Sequence, residues 1–442
     1  MSSLSSLGYK GTRDYYPEDK RVQNYIFDVW RRVVERHGYQ EYGAPLLEPL
    51  EVYTAKSGQE LANEQTYSFT DRGDRLVAIR PEMTPSISRM VAARRQELAY
   101  PARLYSIANF MRYERPQRGR EREFWQLNAD LFGAEGVLAD VEIIELAYRI
   151  MTEFGAKNDM YVIRVNNREL INHMMTTYLG LDGVSSQLMI KLFDRKQKIP
   201  TEEFVRQAVE IFGSEQAEQG MQKIERLISA STVAELPAEL QQEQPVRDLS
   251  ELFEYLQEAG VENVQFDITL MRGLDYYTGM VFEVFDLHPD NNRAMFGGGR
   301  YDGLVGLFGA ESLPTVGFAP GLTTTELFLR THNLLPALRP TTDICVIAID
   351  DSMSSALDVA RQLRSEGVSV EVDITDRKLD RKVKAAIKKD VPYLVFVGAN
   401  EVREQLYTLK EVKTTDEKKL SIERIVSTVR DSRRQSHDDL VA

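Results

Sequence analysis

The chain has 442 residues, more than one hydrophobic core usually supports, so two or three domains are expected. Its 43% hydrophobic and 28% charged residues are those of an ordinary globular protein and exclude a disordered or fibrous chain. The net charge of -13 excludes a blanket attraction to nucleic acid, which runs on Lys and Arg, so any contact with RNA has to be local.

Met1 to Ser6 lacks the basic and apolar segments of a signal peptide, and no stretch approaches the roughly 20 apolar residues of a membrane span. The lone Cys345 rules out an intrachain disulfide or a cysteine-rich metal site and reads as core packing in a reducing compartment. A cytoplasmic protein with no membrane partner is the expectation.

Arg21 to His37 carries apolar residues at helical spacing, Tyr25, Ile26, Val29, Trp30, Val33 and Val34, and Gly38 is a helix stop. A strand-like stretch broken by Pro45 and Pro49 follows. Leu76 to Arg80 reads as a buried strand, and Thr84 with Pro85 as the N-cap and first position of a helix reaching Gln96, which puts Glu82 and Thr84 on the turn between them. Two antiparallel strands are predicted next, Arg103 to Glu114 and Phe124 to Phe132, joined by the basic loop 115–123. In the second strand Trp125, Leu127, Ala129 and Leu131 share an apolar face, while Phe124, Gln126, Asn128 and Asp130 share a face that is polar but for one ring.

From about Asn166 to Gly260 the pattern turns helical and polar and reads as an insertion into the sheet domain. Strands return at Val281 to Phe285 and Thr315 to Ala319, on either side of Gly297 to Gly299, a cluster that by itself reads as a loop. After Pro336 and Pro340 the order is strand (Ile344 to Ile349), helix, strand (Val368 to Ile374), basic helix, strand (Tyr393 to Val397), the pattern of a mostly parallel α/β sheet. The domains are expected at 1–335, with the insertion at about 166–260, and at 341–442.

A polar face in a buried sheet is costly unless something binds there, the alternative being a hydrogen-bonded covering helix. In Met271 to Gly279, Arg272, Asp275, Tyr276 and Tyr277 crowd around glycines, suited to a ligand with phosphate and ring nitrogens or, more blandly, to a tight turn with an Arg272–Asp275 ion pair. Gly297 to Gly303 matches neither the P-loop nor the dinucleotide turn. Two basic runs, Arg115 to Arg122 and Arg377 to Lys389, could as well be solvated faces.

In this order these strings resemble the histidyl-tRNA synthetases, class II aminoacyl-tRNA synthetases, over essentially the whole chain. Gly38 to Pro45 is similar to the dimer-forming motif 1, and Arg112-Tyr113-Glu114-Arg115-Pro116-Gln117 through Phe124-Trp125-Gln126 to motif 2. Arg272-Gly273-Leu274-Asp275-Tyr276-Tyr277 and Gly299-Arg300-Tyr301-Asp302-Gly303 are similar to strings characteristic of the histidine enzyme and its paralogues.

The resemblance implies an α+β catalytic domain on an antiparallel sheet with a helical insertion, then an anticodon-binding-like α/β domain. It implies that Glu82, Thr84 and Gln126 hold the α-amino group of histidine, and that Asp130, Tyr277 and Tyr301, with Tyr276 in the same histidine site, recognise the imidazole. Arg112 and Arg272 would be the catalytic cations on the α-phosphate of ATP, Phe124 the stacking partner of adenine, and Glu114 and Arg120 further members of the ATP site. Arg115, Arg118 and Arg122 would meet the acceptor end of tRNA(His), and Arg381 and Lys382 its anticodon arm. Mg²⁺ on the phosphates, with no protein ligand assigned, and a two-fold homodimer also follow.

Three departures stand out. The Gly-Leu-Glu-Arg string that ends the family's motif 3 is here Gly321-Leu322-Thr323-Thr324, so its arginine is missing, and Arg330 would face away from that position. Asp130 stands for a longer Glu, and Trp125 for a His. The missing arginine motivates an alternative, a catalytically impaired paralogue that senses histidine as the regulatory subunit of ATP phosphoribosyltransferase. A third reading is a tRNA-binding module without small-molecule chemistry.

Overall fold

The computed structural model describes residues 4–55, 64–271, 276–291 and 293–441. Contacts divide the chain into two units, Met1–Tyr15 with Gln23–Leu335, and Tyr16–Val22 with Pro336–Ala442. The strands, in chain order, are β1 Gln40–Glu41, β2 Leu47–Pro49, β3 Ser68–Thr70, β4 Leu76–Ile79, β5 Ala102–Met111, β6 Glu123–Phe132, β7 Tyr161–Asn167, β8 Val264–Phe266, β9 Met280–Asp286, β10 Ala294–Arg300, β11 Thr315–Phe318, β12 Ile344–Ala348, β13 Val370–Val372, β14 Tyr393–Val397, β15 Tyr407–Glu411 and β16 Glu417–Leu420.

Among the described residues of the first unit, an eight-stranded sheet runs in the order β1-β5-β6-β11-β10-β9-β7-β8, and β2-β4-β3 form a small antiparallel sheet beside it. The large sheet is antiparallel except at its two edge pairs, β1 with β5 and β7 with β8. The predicted hairpin is the centrepiece: β5 and β6 pair from Ala102↔Phe132 to Met111↔Glu123. Arg112 N–H bonds to Arg122 O at 2.8 Å, so the ladder outlasts the strands and carries Arg112 to the mouth of the loop.

The apolar face of the hairpin is covered by the helix Pro17–Arg36, where Phe27 packs on Trp125 at 5.4 Å, and Glu35 accepts from Tyr105 at 2.7 Å. That helix starts at Pro17 rather than Arg21, since proline suits the first helical position and Glu18 and Asp19 suit its N-terminal dipole. Gly38, at φ +82°, ends it in the left-handed region open to glycine.

Two local expectations are corrected. Thr84 does not cap the helix Thr84–Ala93; Met83 holds the cap position without a side-chain bond, and the Thr84 hydroxyl instead acts on the Tyr276 phenol. Gly297 to Gly299 are no loop but the middle of β10. A Cβ on Gly298 would lie 2.3 Å from Gly317 O, so the strands approach more closely there than other residues allow.

Between β7 and β8 lie the helices Arg168–His173, Gly183–Asp194, Thr201–Phe212, Ala217–Ser229 and Gln244–Glu258, which bury apolar stripes such as Phe204, Ala208 and Phe212. In the second unit, the sheet order is β13-β12-β14-β15-β16. β13, β12 and β14 are parallel, while β15 and β16 add an antiparallel hairpin that makes the sheet mixed. Alternate residues of β12 serve the two faces: Ile344 and Val346 pack with Val359, Leu363 and Ile425, and Cys345 and Ile347 with Ala386 and Leu394.

Candidate functional site

Register decides which residues meet. Asp130 pairs with Gly317, Gly317 with Gly299, and Gly299 with Val281, so β6, β11, β10 and β9 place one row of residues across the sheet. The glycines make room for neighbouring side chains: a Cβ on Gly317 would lie 2.2 Å from Asp130 Oδ1, and one on Gly299 would lie 2.9 Å from the Tyr277 ring. Tyr301 donates its hydroxyl to Asp130 Oδ1. Tyr276 lies 5.1 Å from Tyr277 and 5.6 Å from Tyr301, ring to ring, and Tyr277 lies 6.4 Å from Tyr301. The Tyr276 hydroxyl donates to Glu82 Oε2 at 3.1 Å. Glu82, Thr84, Asp130, Tyr276, Tyr277 and Tyr301, separated by up to 219 positions in sequence, thus line one pocket, with Gln126 on the same face of β6.

The chemistry of that pocket follows from its burial. Asp130 is buried, and its Oδ2 has no hydrogen-bond partner. Burial pushes its carboxyl up to about 7, and the Tyr301 hydroxyl pulls part of the way back. The phenols of Tyr276, Tyr277 and Tyr301 are raised by burial first and by the surrounding carboxylates second. A pocket of acids and neutral hydroxyls selects a ligand rich in N–H donors.

A second group gathers at the open end of the hairpin. Arg112 Nε donates to Pro81 O at 2.9 Å, and its guanidinium sits 5.2 Å over the Phe124 ring, which packs on Phe110 at 5.8 Å. Glu114 Oε2 holds Arg120 at 2.8 Å, and Glu114 Oε1 lies 4.0 Å from Arg112. Cations beside an aromatic face suit a nucleotide. Arg272, expected on the same phosphate, lies outside the described residues.

The position of the missing motif 3 arginine is filled by threonines with local roles. Thr323 donates to Glu121 Oε2 at 3.1 Å, and Thr324 to Met295 O at 2.8 Å. Arg330 pairs with Glu326 at 2.8 Å, and the same carboxylate takes Arg13 at 2.8 Å. Arg330 does not stand in for the absent residue.

Of the expected tRNA contacts, Arg115 and Arg118 are exposed on the hairpin loop, and Arg381 is exposed on the helix Leu379–Lys388. Two others have their partners within the protein. Arg122 lies 4.1 Å over the Tyr113 ring and 5.5 Å over Tyr9 and donates to Glu114 O and Tyr9 Oη, so its donors are spent inside the protein. Lys382 is buried beside Ala386 on the inner stripe of its helix, where its charge faces Asp373.

Sequence reasoning misses Glu283 of β9, whose charge acts on Tyr277; an acid inside the apolar run Val281 to Phe285 is the signal for it. Tyr42 and Ser106 give no such signal. A cavity of about 780 Å³ lies apart, lined by Arg168, Lys191, Arg195, Arg206 and Met271 among others, and none of the pocket residues above borders it.

Comparison with known proteins matches residues 11–324 to the histidyl-tRNA synthetase family and residues 343–432 to the anticodon binding domain family. A histidine--tRNA ligase of Leptospira biflexa is 38% identical over 94% of this chain and 95% of its own length. One of Haloarcula marismortui is 35% identical, covering 91% and 93%. Among solved structures, a histidyl-tRNA synthetase from a Nostoc species superposes with a TM-score of 0.82 at 23% identity, covering 97% of this chain and all of its own. An ATP phosphoribosyltransferase regulatory subunit/histidyl-tRNA synthetase from Bacillus halodurans gives 0.74 at 22%, covering 90% and 100%. At these identities the two structures establish the fold alone.

Proposed function

The chain belongs to the histidyl-tRNA synthetase family, and we propose that Asp130, Tyr277 and Tyr301 take the imidazole of histidine while Glu82, Thr84 and Gln126 take its α-amino group. The protein is a histidine–tRNA ligase, a class II aminoacyl-tRNA synthetase that spends ATP. The observation that carries the pocket assignment is the unpartnered Asp130 Oδ2, a buried acceptor that an imidazole N–H satisfies.

A carboxylate oxygen of histidine attacks the α-phosphorus, the bond to the β-phosphate bridge breaks, and pyrophosphate leaves. The terminal hydroxyl of the tRNA then attacks the acyl carbon of the adenylate, and AMP leaves. Neither step requires a side-chain nucleophile, so the protein positions reactants and offsets charge. Arg112 fits the α-phosphate because its guanidinium is held by Pro81 O beside Phe124, the ring on which adenine stacks. Arg272 is assigned to the same phosphate by its motif, and Glu114 and Arg120 to the edge of the nucleotide.

Mg²⁺ would arrive on the phosphates and neutralise their charge. Arg115 and Arg118 are assigned to the acceptor end of tRNA(His) and Arg381 to its anticodon arm. The motif 1 resemblance supports a homodimer, and the buried lone cysteine supports a cytoplasmic setting. No helix among the described residues is long and apolar enough to cross a membrane.

The regulatory-subunit reading is not favoured: curated relatives over nearly the whole chain are ligases, and an anticodon binding domain follows the catalytic unit. Histidine-dependent exchange of pyrophosphate into ATP, followed by charging of the matching tRNA, is the test. Absence of exchange at saturating histidine and Mg²⁺ refutes the assignment.

A further inference from the structure

The polar lining of the pocket continues behind Asp130. Tyr42 follows β1, and its N–H bonds to Tyr105 O at 2.8 Å, next to Ser106 in the chain. Ser106 faces Asn128 directly across the β5–β6 ladder, and Asn128 sits one pleat from Asp130 on the same face. Tyr42 Oη, Ser106 Oγ, Asn128 Oδ1 and Asp130 Oδ2 are all buried, and none has a hydrogen-bond partner. They are nonetheless neighbours: burial first and the Asp130 carboxylate next raise the Tyr42 phenol, the Ser106 hydroxyl lowers it in part, and Tyr42 in turn acts on Tyr301.

Clustered orphans of this kind are rare in native interiors, where ordered water commonly satisfies them. The inventory here closes on a single water. The Tyr42 and Ser106 hydroxyls each have a proton to give, and the Asn128 carbonyl and Asp130 Oδ2 each have a lone pair to receive. A water that accepts two bonds and donates two meets all four. We propose that Tyr42, Ser106 and Asn128 hold one water against Asp130 Oδ2, making these residues positioning elements of the histidine pocket.

This deepens the imidazole assignment and rests on it. The water fixes the rotation of the carboxylate, so that the second lone pair of Oδ2 points to the ligand N–H.

The test compares Tyr42→Phe and Ser106→Ala with the parent protein in pyrophosphate exchange. Each removes one donor to the water, and the expected result is a rise of about threefold to tenfold in KM for histidine, with kcat and KM for ATP within about twofold. The double variant should lose little beyond the worse single one, because both break the same water. Unchanged KM for histidine in both singles, or equal losses for histidine and ATP, overturns the inference. If the parent shows no exchange, the ligase reading fails separately, and the same variants titrated with histidine in a calorimeter decide the water by the same fold-changes.

Discussion

Replacing Asp130 by Asn tests the histidine pocket most directly, because it should harm activity and help stability at once. A rise from 3.8 to about 7, at about 1.36 kcal/mol per pKa unit, makes the ionised form cost the fold about 4 kcal/mol. The folded state holds the proton across that range while the unfolded state releases it, so stability falls as pH climbs from about 4 through about 7 and then levels off. The phenols of Tyr42, Tyr277 and Tyr301 remain neutral there, since burial raises each above its usual 10. At pH 8 the amide removes the charge cost, and an unpaired amide group returns about 1–3 kcal/mol of it, leaving the unliganded variant about 1–3 kcal/mol more stable. Binding loses a charge-assisted bond of about 1.5–3 kcal/mol, or roughly 10- to 150-fold in kcat/KM for histidine. Both proteins share the titration of the substrate imidazole, so the ratio of their pH profiles isolates Asp130; it should shrink as pH falls below about 7. Urea unfolding at pH 8 and pyrophosphate exchange from pH 5.5 to 8.5 measure the two sides (pH values chosen to bracket the shift to about 7). An activity loss under about threefold, a flat ratio, or a less stable variant at pH 8 refutes the reasoning.

Arg112→Ala should lower kcat/KM for ATP by about a hundredfold or more while leaving histidine affinity by calorimetry nearly unchanged; a matching loss of histidine affinity would move Arg112 out of the phosphate site. Gly317→Ala puts a Cβ 2.2 Å from Asp130 Oδ1 and 2.8 Å from Ala129 O, so unfolding in urea should show a loss of about 1–3 kcal/mol together with weaker histidine binding. Arg122→Gln should lower the urea midpoint because it empties the stack on Tyr113 and Tyr9, whereas Arg115→Gln should leave the midpoint in place and raise KM for tRNA.

The β5–β6 hairpin is legible because a period of two leaves a polar row of Gln126, Asn128 and Asp130, which a buried sheet keeps only where something hydrogen-bonds it. Other features depend on distant partners and leave no local trace. Arg122 reads as a surface cation in a basic loop, yet its partner Tyr9 lies 113 positions away. Lys382 reads as one of many lysines; its burial follows from which stripe of the helix Leu379–Lys388 faces β12, a packing choice settled in three dimensions. Thr84 precedes a proline in the ordinary manner of a cap, and only the approach of Tyr276 gives its hydroxyl another task.

The glycine run of β10 shows why a local reading fails where the site is built. Glycine in a strand interior costs about 0.5–1 kcal/mol relative to Ala, which argues against a strand at Gly297 to Gly299. Its neighbours supply the compensation. On the pocket face, a Cβ at Gly299 would strike the Tyr277 ring at 2.9 Å, and the next glycine in that row, Gly317, would strike Asp130. On the opposite face, a Cβ at Gly298 would meet Phe318 at 2.5 Å and Phe282 at 2.8 Å. Successive residues of a strand point to opposite sides, so room for Asp130 and the Tyr277 ring on one face and close packing on Phe318 and Phe282 on the other require glycine at consecutive positions. Substituting either kind of position should therefore fail differently: the pocket glycines through histidine affinity as well as stability, and Gly298 through stability alone.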